Sequence, residues 1–379
     1  MPIVKRGKDT WLVRIFLGRD EHGKTRFFNE TVKGKKKDAD ELETKKKREL
    51  DLGIFIEHSK ITVDEYLDKW FEVSAKPRLK YRTYEDYIEY MKRYVRPSIG
   101  KKLLSKIKPL DIQAIYSEML KNGLSPRTVR YAHAILSSAL KQAVKWQILA
   151  INPASMTDLP QNHRKEMKAL SPKEAQRFLN AARDDKWYAA FSLAITTGMR
   201  PEEYLGLQWK DIDFKKATAT IQRALVWKRK GGGWSLQEPK TSQSRRTIPL
   251  PSSVLRELKI HRKKQLEERI SLGQAYQNGD FVFATEIGTP ILTSNITRRH
   301  FKPLLKKAKL PENIRLYDLR HTCATLLLSA DISPKVVAER LGHSTVVLTL
   351  DTYSHVLPSM QKNATDELEQ MLFTKKSAK

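Results

Sequence analysis

The chain has 379 residues, more than one hydrophobic core normally serves, so two or three domains are expected. Its 71 Lys and Arg outnumber 43 Asp and Glu, and the net charge of +28 indicates a polyanionic partner without distinguishing DNA, RNA or an anionic membrane. The single cysteine excludes an internal disulfide and a multi-cysteine metal site. No apolar run of about twenty residues or signal-peptide core is present, so a cytoplasmic protein is expected.

The first residues predict a small antiparallel sheet followed by a helix. Apolar and polar residues alternate over 11–16, a turn is indicated at 20–23, and the pattern resumes over 27–32. A basic helix is predicted over 36–50. A three-stranded sheet with one helix and a surplus of Lys and Arg is typical of a small DNA-binding module, although a solvated basic surface explains the same charges.

A bundle of about four helices is predicted next. A T-x-x-E capping box at Thr62 opens one helix, and Ser125 followed by Pro126 opens another. Apolar spacing predicts two more helices between them, around 84–95 and 112–120. The basic residues are expected on the outward face, and the tyrosines are assigned to the core in preference to stacking on bases.

A third unit of mixed structure follows. The polar stretch 161–168 has the composition of a linker at a domain boundary, and Ser171 opens a capping box beyond it. Candidate strands over 217–221, 225–227 and 247–250 are followed by a mostly helical remainder. The fold class is therefore multidomain and mainly α, with small β-sheets.

The most informative segments lie in this third unit. Gly198 ends one predicted helix and Pro201 starts the next, so Arg200 lies beside a helix N-terminus, where its fork of donors and the unpaired backbone N–H groups suit a phosphate. Downstream come the segments Tyr-Asp-Leu-Arg-His-Thr, Leu-Gly-His and Asp-Thr-Tyr-Ser-His, which contribute Tyr317, Arg320, His343 and Tyr353.

Taken together with the flanking Thr-Gly-Met-Arg-Pro-x-Glu, these segments resemble the tyrosine recombinase family of phage and mobile-element integrases. The resemblance covers residues 165–360. It implies an arm-type DNA-binding domain over 1–57, with the three-stranded sheet and helix. It further implies a helical, SAM-like core-binding domain over 58–160, and a mixed α+β catalytic domain with a C-terminal tail over 161–379.

The resemblance also implies catalytic roles. Arg200 and Arg320 would hold the non-bridging oxygens of the scissile phosphate, and His343 would donate to the same oxygens. Tyr353 would be the nucleophile, with the cationic pocket favouring its phenolate, and would form a 3′-phosphotyrosine. Lys240, on a β-hairpin turn, would protonate the departing 5′ oxygen.

Two further residues are implied as supporting ones, and one position departs from the family. Glu203 would orient its catalytic neighbours, and His355 would support the nucleophile. Tyr317 stands where the family has the first residue of His-x-x-Arg. We expect its phenol only to donate a hydrogen bond, and Tyr317→Phe cleaving DNA at the unchanged rate would contradict this. His321 is interpreted as a structural helix residue.

The expected function is site-specific recombination, in which two DNA duplexes are cut and rejoined to integrate or excise a mobile element or prophage. No cofactor or metal is implied. The expected partners are double-stranded attachment sites, a homotetramer on DNA, and accessory proteins for DNA bending and excision, at the bacterial nucleoid and without a membrane. The segment 365–373 predicts an amphipathic helix that docks on a neighbouring protomer or on its own domain.

Two alternatives remain open from the residues. A type IB topoisomerase uses the same chemistry on one duplex, but the arm-type module and the short spacing between Leu-Gly-His and Tyr353 argue against it. A non-catalytic, sequence-specific DNA-binding protein on the same fold is favoured only by the replacement at Tyr317.

Overall fold

The computed structural model describes residues 3–19, 22–51, 60–162, 167–228, 232–239, 242–353, 365–366, 368–369 and 371–373. The chain divides into two compact units, residues 1–164 and 165–379. The predicted mainly α architecture with small antiparallel sheets is confirmed. Among the described residues, no helix combines the length and apolar character needed to cross a membrane. The division of the first unit into two domains stays a prediction.

The first unit begins with the predicted sheet and helix. Strands β1 (Ile3–Gly7), β2 (Thr10–Arg19) and β3 (Thr25–Lys33) form an antiparallel sheet in that order, and α1 (Lys36–Asp51) follows. One sheet face buries its apolar side chains with Ala39 of α1, which gives this small module a core of its own.

The helical elements of the bundle, in chain order, are α2 (Val63–Trp70), a π-helical turn (Phe71–Ala75), α3 (Lys76–Arg78), α4 (Tyr81–Tyr90), a second π-helical turn (Met91–Val95), α5 (Arg96–Ile99), α6 (Pro109–Lys121) and α7 (Pro126–Lys145). The predicted start signals are present. Glu65 N–H donates to Thr62 Oγ1 (3.3 Å), and Thr62 N–H donates to Glu65 Oε2 (2.7 Å). At the start of α7, Ser125 Oγ accepts from the Thr128 N–H (3.2 Å). These caps satisfy N–H groups that have no partner inside the helix.

The core of the bundle is apolar, and the polar tips of several aromatic side chains are paired. Trp70 and Leu136 are fully buried. The hydroxyl of Tyr66 donates to Ala139 O (2.5 Å). Of the tyrosines predicted to lie in the core, Tyr66 and Tyr116 are buried, Tyr84 and Tyr87 are half-buried, and Tyr81 is exposed.

The elements of the second unit, in chain order, are α8 (Pro172–Ala182), α9 (Tyr188–Thr197), α10 (Pro201–Tyr204), β4 (Ile212–Asp213), β5 (Thr218–Ile221), β6 (Ala224–Trp227), β7 (Trp234–Gln237), β8 (Arg246–Pro249), α11 (Ser252–Leu272), α12 (Thr293–Ile296), a π-helical turn (Thr297–Phe301), α13 (Lys302–Lys307), α14 (Asp318–Ser329), α15 (Pro334–Leu341) and α16 (Val346–Tyr353). Of the tail, residues 365–366, 368–369 and 371–373 are described, and they are helical and exposed.

The strands of this unit form two antiparallel sheets, β4-β5-β8 and β6-β7. The three predicted strands are present, whereas β4 and β7 were not predicted. Because Ile221 pairs with Arg246 and Ala224 pairs with Gln237, β5 and β6 run opposite β8 and β7 as one interrupted hairpin. Next to β6 and β7, the Lys228 N–H donates to Gly233 O (2.9 Å).

Helix α9 lies at the centre of the second unit and positions the site. Its residues 189–195 are all buried, and it packs against α8, α11 and α14. A helix that is apolar on all sides belongs in the middle of a core. Its C-terminal end is thereby held beside the first turn of α14, so that segments distant in sequence meet there.

Candidate active site

Arg200 lies in the short connection between α9 and α10. Gly198 ends α9 in the left-handed conformation (φ 67°), and Pro201 begins α10, as predicted. A Cβ at Gly198 would come within 2.5 Å of the Leu341 side chain, so this close approach requires glycine. Helix α10 has only four residues, and the Arg200 N–H donates to Glu203 Oε2 (2.9 Å). This N–H is therefore paired within the chain, and the side chain of Arg200 is the donor that stays available to an anion.

The Arg200 guanidinium is held in place from two sides. Its Nη1 donates to Glu203 Oε1 (2.6 Å), and its Nη2 lies 3.5 Å from Gly342 O. The side chain remains 30% exposed, which leaves part of the guanidinium accessible to a ligand.

Glu203 joins Arg200 to a second arginine that the sequence interpretation missed. Arg246, at the start of β8, donates from Nη2 to Glu203 Oε2 (3.0 Å) and from Nε to Arg340 O (2.6 Å). Burial favours the protonated acid, but Arg246 and Arg200 hold the pKa of Glu203 below its ordinary value. Glu203 is thus a buried carboxylate that fixes two cations. The sequence contains the segment Ser-Arg-Arg-Thr-Ile-Pro, but it does not indicate which of the two arginines points into the domain.

Arg320 lies in the first turn of α14 and is 1% exposed. Its Nη1 donates to Gly198 O (2.8 Å), while its Nη2 is buried and has no hydrogen-bond partner within the part of the chain that the structure describes. Burial and the neighbouring charge of Arg200 lower the pKa of Arg320 to about 10, so the group is still a cation at neutral pH. A buried cation with an unpaired donor is costly unless an anion joins it.

His343 follows Gly342, which ends α15 in the left-handed conformation (φ 67°). Its Nδ1 is 2.7 Å from Thr349 Oγ1 of α16, and this contact orients the ring. Burial, together with the charges of Arg320 and Arg200, lowers the pKa of His343 to about 3. The imidazole is therefore neutral at physiological pH, and it lies in the positive field of both arginines.

Tyr353, the last residue of α16, is 1% exposed. Its hydroxyl lies 2.8 Å from Nδ1 of His321, a contact that the sequence interpretation did not anticipate. Burial raises the pKa of Tyr353, which is opposite to the expected stabilisation of its phenolate by the cationic pocket. The ring of Tyr317 contacts His321 edge-on, with ring centroids 5.4 Å apart.

The structure thus brings together Arg200, Glu203, Arg320, His343 and Tyr353, with Tyr317 adjoining His321. Lys240 and His355 lie outside the described residues. No group of His, Cys, Asp or Glu suited to a metal ion occurs among the described side chains.

Two family models match the chain. Residues 168–360 match the phage integrase family, and residues 62–120 match the phage integrase N-terminal SAM-like domain. The first match contains every described residue of the pocket, and the second lies within the helical bundle.

Relatives and a solved structure agree with these matches. A XerC-like tyrosine recombinase of Caldanaerobacter subterraneus subsp. tengcongensis is 33% identical over 97% of this chain and 98% of its own length. The ICEBs1 integrase of Bacillus subtilis is 27% identical over 98% of this chain and 100% of its own. The fold is shared with an integrase of transposon Tn1549 solved in complex with transposon right-end DNA, at a TM-score of 0.69, 24% identity, and coverage of 81% of this chain and 99% of that chain. The chain therefore belongs to the phage integrase family and is a tyrosine-type site-specific recombinase.

Proposed function

We propose that the chain cuts and rejoins DNA at attachment sites, with Tyr353 as nucleophile and the scissile phosphate bound by Arg200, Arg320 and His343. The observation that carries this proposal is the state of Arg320. Its guanidinium is buried and cationic, and its Nη2 faces no hydrogen-bond partner among the described residues. A phosphodiester supplies the missing negative charge and acceptor oxygens, because guanidinium forks match phosphate geometry.

Each group has one task in this proposal. Arg200 and Arg320 neutralise the charge that develops on the non-bridging oxygens during transfer. Glu203 and Arg246 keep the Arg200 fork in position, so little reorganisation is needed when the phosphate arrives. His343, neutral and fixed through Thr349, donates one further hydrogen bond.

Attack by Tyr353 forms a 3′-phosphotyrosine and releases a 5′ hydroxyl. Lys240 protonates this leaving oxygen, a role that rests on its match to the family lysine. The phosphotyrosine preserves the energy of the phosphodiester, so a 5′ hydroxyl of another strand can rejoin DNA without ATP. Tyr317 donates a hydrogen bond, and His355 supports the nucleophile.

The other domains are proposed to bind DNA outside the cleavage point. Residues 1–57 serve as an arm-type module, residues 58–160 grip the core site, and residues 161–379 carry the chemistry and the tail. The net charge of +28 favours such extended phosphate contact. A homotetramer on two duplexes, assisted by DNA-bending and excision proteins at the bacterial nucleoid, would integrate or excise a mobile element or prophage.

The tail is proposed to contribute to this assembly. Leu368, Met371, Leu372 and Phe373 are between 57% and 79% exposed, so the described part of the tail has apolar surface available for docking on the same or a neighbouring protomer. Truncation after Gln361 distinguishes these two docking arrangements. Assembly on DNA is lost if the tail docks on a neighbouring protomer and is retained if the tail packs on its own domain.

The test of the proposed nucleophile is adduct formation on a nicked suicide substrate that carries the attachment site, followed on a denaturing gel without metal or ATP. The unchanged protein and a Tyr276→Phe control are expected to form a protein–DNA adduct, and Tyr353→Phe is expected to form none. DNA binding without an adduct in any of the three proteins would instead support the non-catalytic DNA-binding function.

A further inference from the structure

A histidine outside the predicted catalytic set contacts the nucleophile directly. His321 lies one residue beyond Arg320 on α14, and its Nδ1 is 2.8 Å from the Tyr353 hydroxyl. Both side chains are buried, at 6% and 1% exposure. Their ring centroids are 5.8 Å apart. The contact joins residues 32 positions apart, so it is created by the packing of α16 against the rest of the domain.

The chemistry of the two groups decides the direction of this hydrogen bond. Burial lowers the pKa of His321 to about 4, so its imidazole is unprotonated at neutral pH. Burial also raises the pKa of Tyr353, so the phenol keeps its proton. A neutral imidazole has one nitrogen that accepts, and a phenol O–H is the better donor of the pair. We assign Nδ1 as the acceptor and the phenol as the donor.

We propose that His321 is a catalytic residue that accepts the proton of Tyr353 during DNA cleavage and returns it during rejoining. This inference rests on the proposed role of Tyr353 as nucleophile. It assigns the acid–base function missing at Tyr317, the residue before α14, to His321 in the first turn of that helix.

The proton and electron pairs balance in both directions. The phenolic oxygen forms the bond to phosphorus while its proton moves to Nδ1 of His321, giving an imidazolium. The bond from phosphorus to the 5′ oxygen breaks, and that oxygen leaves with the electron pair and takes a proton from Lys240. In rejoining, the incoming 5′ hydroxyl attacks phosphorus, and the phenolate oxygen recovers its proton from His321 as it leaves.

Charged groups around His321 make this proton transfer dependent on substrate. Asp318 favours the imidazolium, whereas Arg315 and Arg320 oppose it, and the neutral His343 and the ring of Tyr317 lie nearby. Binding of the phosphate would neutralise much of the positive field of Arg320. The imidazolium then forms at lower cost, so the base becomes effective only when DNA is in place.

The edge-on packing of Tyr317 on His321 gives that replacement a second role. Tyr317 fixes the orientation of the imidazole, with ring centroids 5.4 Å apart. An aromatic side chain at 317 therefore supports the acceptor at 321 in addition to donating its own hydrogen bond.

The experiment measures single-turnover adduct formation on two suicide substrates that differ only in the leaving atom, oxygen or sulfur at the 5′ bridging position. A thiolate leaves without a proton, so sulfur compensates for a missing leaving-group acid but leaves the need for a base on Tyr353 unchanged. His321→Asn keeps a hydrogen-bonding group near the position of Nδ1 but cannot take up a proton. We expect it to slow cleavage of both substrates by roughly 100-fold or more. Lys240→Ala is expected to slow only the oxygen substrate.

Rescue of His321→Asn by sulfur, or a rate equal to or above that of the unchanged protein, would overturn the proposal. His321→Gln and thermal melting separate a catalytic loss from a folding defect. If both variants unfold, the pH profile of the unchanged protein on the sulfur substrate decides: a rate that falls in acid with one protonation supports the base, and a flat profile overturns it. An adduct formed by Tyr353→Phe would show instead that the nucleophile was wrongly assigned.

Discussion

The core of the helical bundle and the pocket around Arg320 are both buried, yet they bury opposite kinds of side chain. In the bundle, Trp70, Leu136 and their neighbours exclude water with apolar surface. In the pocket, Glu203, Arg320 and His321 are equally withdrawn from solvent, and Arg320 lacks a partner for Nη2 among the described residues. In the bundle core the unpaired buried donor among the described side chains is the neutral indole N–H of Trp70, whereas in the pocket it belongs to a buried cation. This difference in buried charge marks the pocket around Arg320 as the candidate active site.

The largest expected effect comes from Arg320→Lys. Lysine keeps the charge but lacks the fork that bonds Gly198 O on one side and a phosphate on the other. Adduct formation should fall by roughly 1,000-fold, the loss typical of removing a preorganised donor to a transition-state oxyanion. Single-turnover cleavage at saturating protein measures this effect, with the exposed Arg256→Lys as control. Cleavage within about threefold of the unchanged rate would mean that charge alone suffices.

Glu203→Gln tests the buried ion network through stability. Removing the carboxylate leaves Arg200 and Arg246 without their shared counter-charge, so the free energy of unfolding at neutral pH should fall by about 3 kcal/mol. Because the folded pKa of Glu203 lies below its ordinary value of 4.5, its contribution is present above that pH and lost as pH falls through the folded pKa. Chemical denaturation should therefore show that the difference in unfolding free energy between the unchanged protein and Glu203→Gln becomes smaller in acid.

The neighbouring Glu202→Gln is the matched control, since Glu202 is exposed. It should leave the free energy of unfolding unchanged. A gap between Glu203→Gln and the unchanged protein that stayed constant down to strong acid would contradict a charge-based role for Glu203.

Leu136→Ala tests the apolar side of the comparison. Leu136 is fully buried in the bundle, and truncation leaves a cavity that costs about 2 to 3 kcal/mol of unfolding free energy. Unlike the loss at Glu203, this loss should not vary between neutral and acidic pH, because no titrating group is involved. Denaturation monitored at both pH values checks this, with exposed Lys141→Ala as control. If the loss of unfolding free energy caused by Leu136→Ala depended strongly on pH, the two regions would not differ in the way described.

The same contrast explains what the sequence predicted. Caps and helical periodicity act over three or four residues, so Thr62, Ser125 and Ser171 correctly marked helix starts, as did Gly198 and Pro201 around Arg200. The family motifs also selected Arg200, Glu203, Arg320, His343 and Tyr353, which lie together in the pocket, and their catalytic roles stay a prediction.

The features that the sequence did not predict depend on contacts between residues far apart in the second unit. Arg246 reaches Glu203 across 43 positions, and His321 reaches Tyr353 across 32. No local pattern distinguishes Arg246 from Arg245, because strand alternation inverts with a shift of one residue. Strand β4 was missed because its two residues carry too little periodicity to separate a strand from a loop.

The most direct measurement is to map the protein residue that becomes linked to DNA. The trapped adduct is digested with nuclease and trypsin, and the peptide that carries the nucleotide remnant is sequenced by mass spectrometry. Tyr353 lies in the tryptic peptide 341–362, and Tyr317, the other phenol at the site, lies in 316–320. The remnant is predicted on Tyr353. A remnant on Tyr317 or on any other residue would contradict a pocket organised around Tyr353.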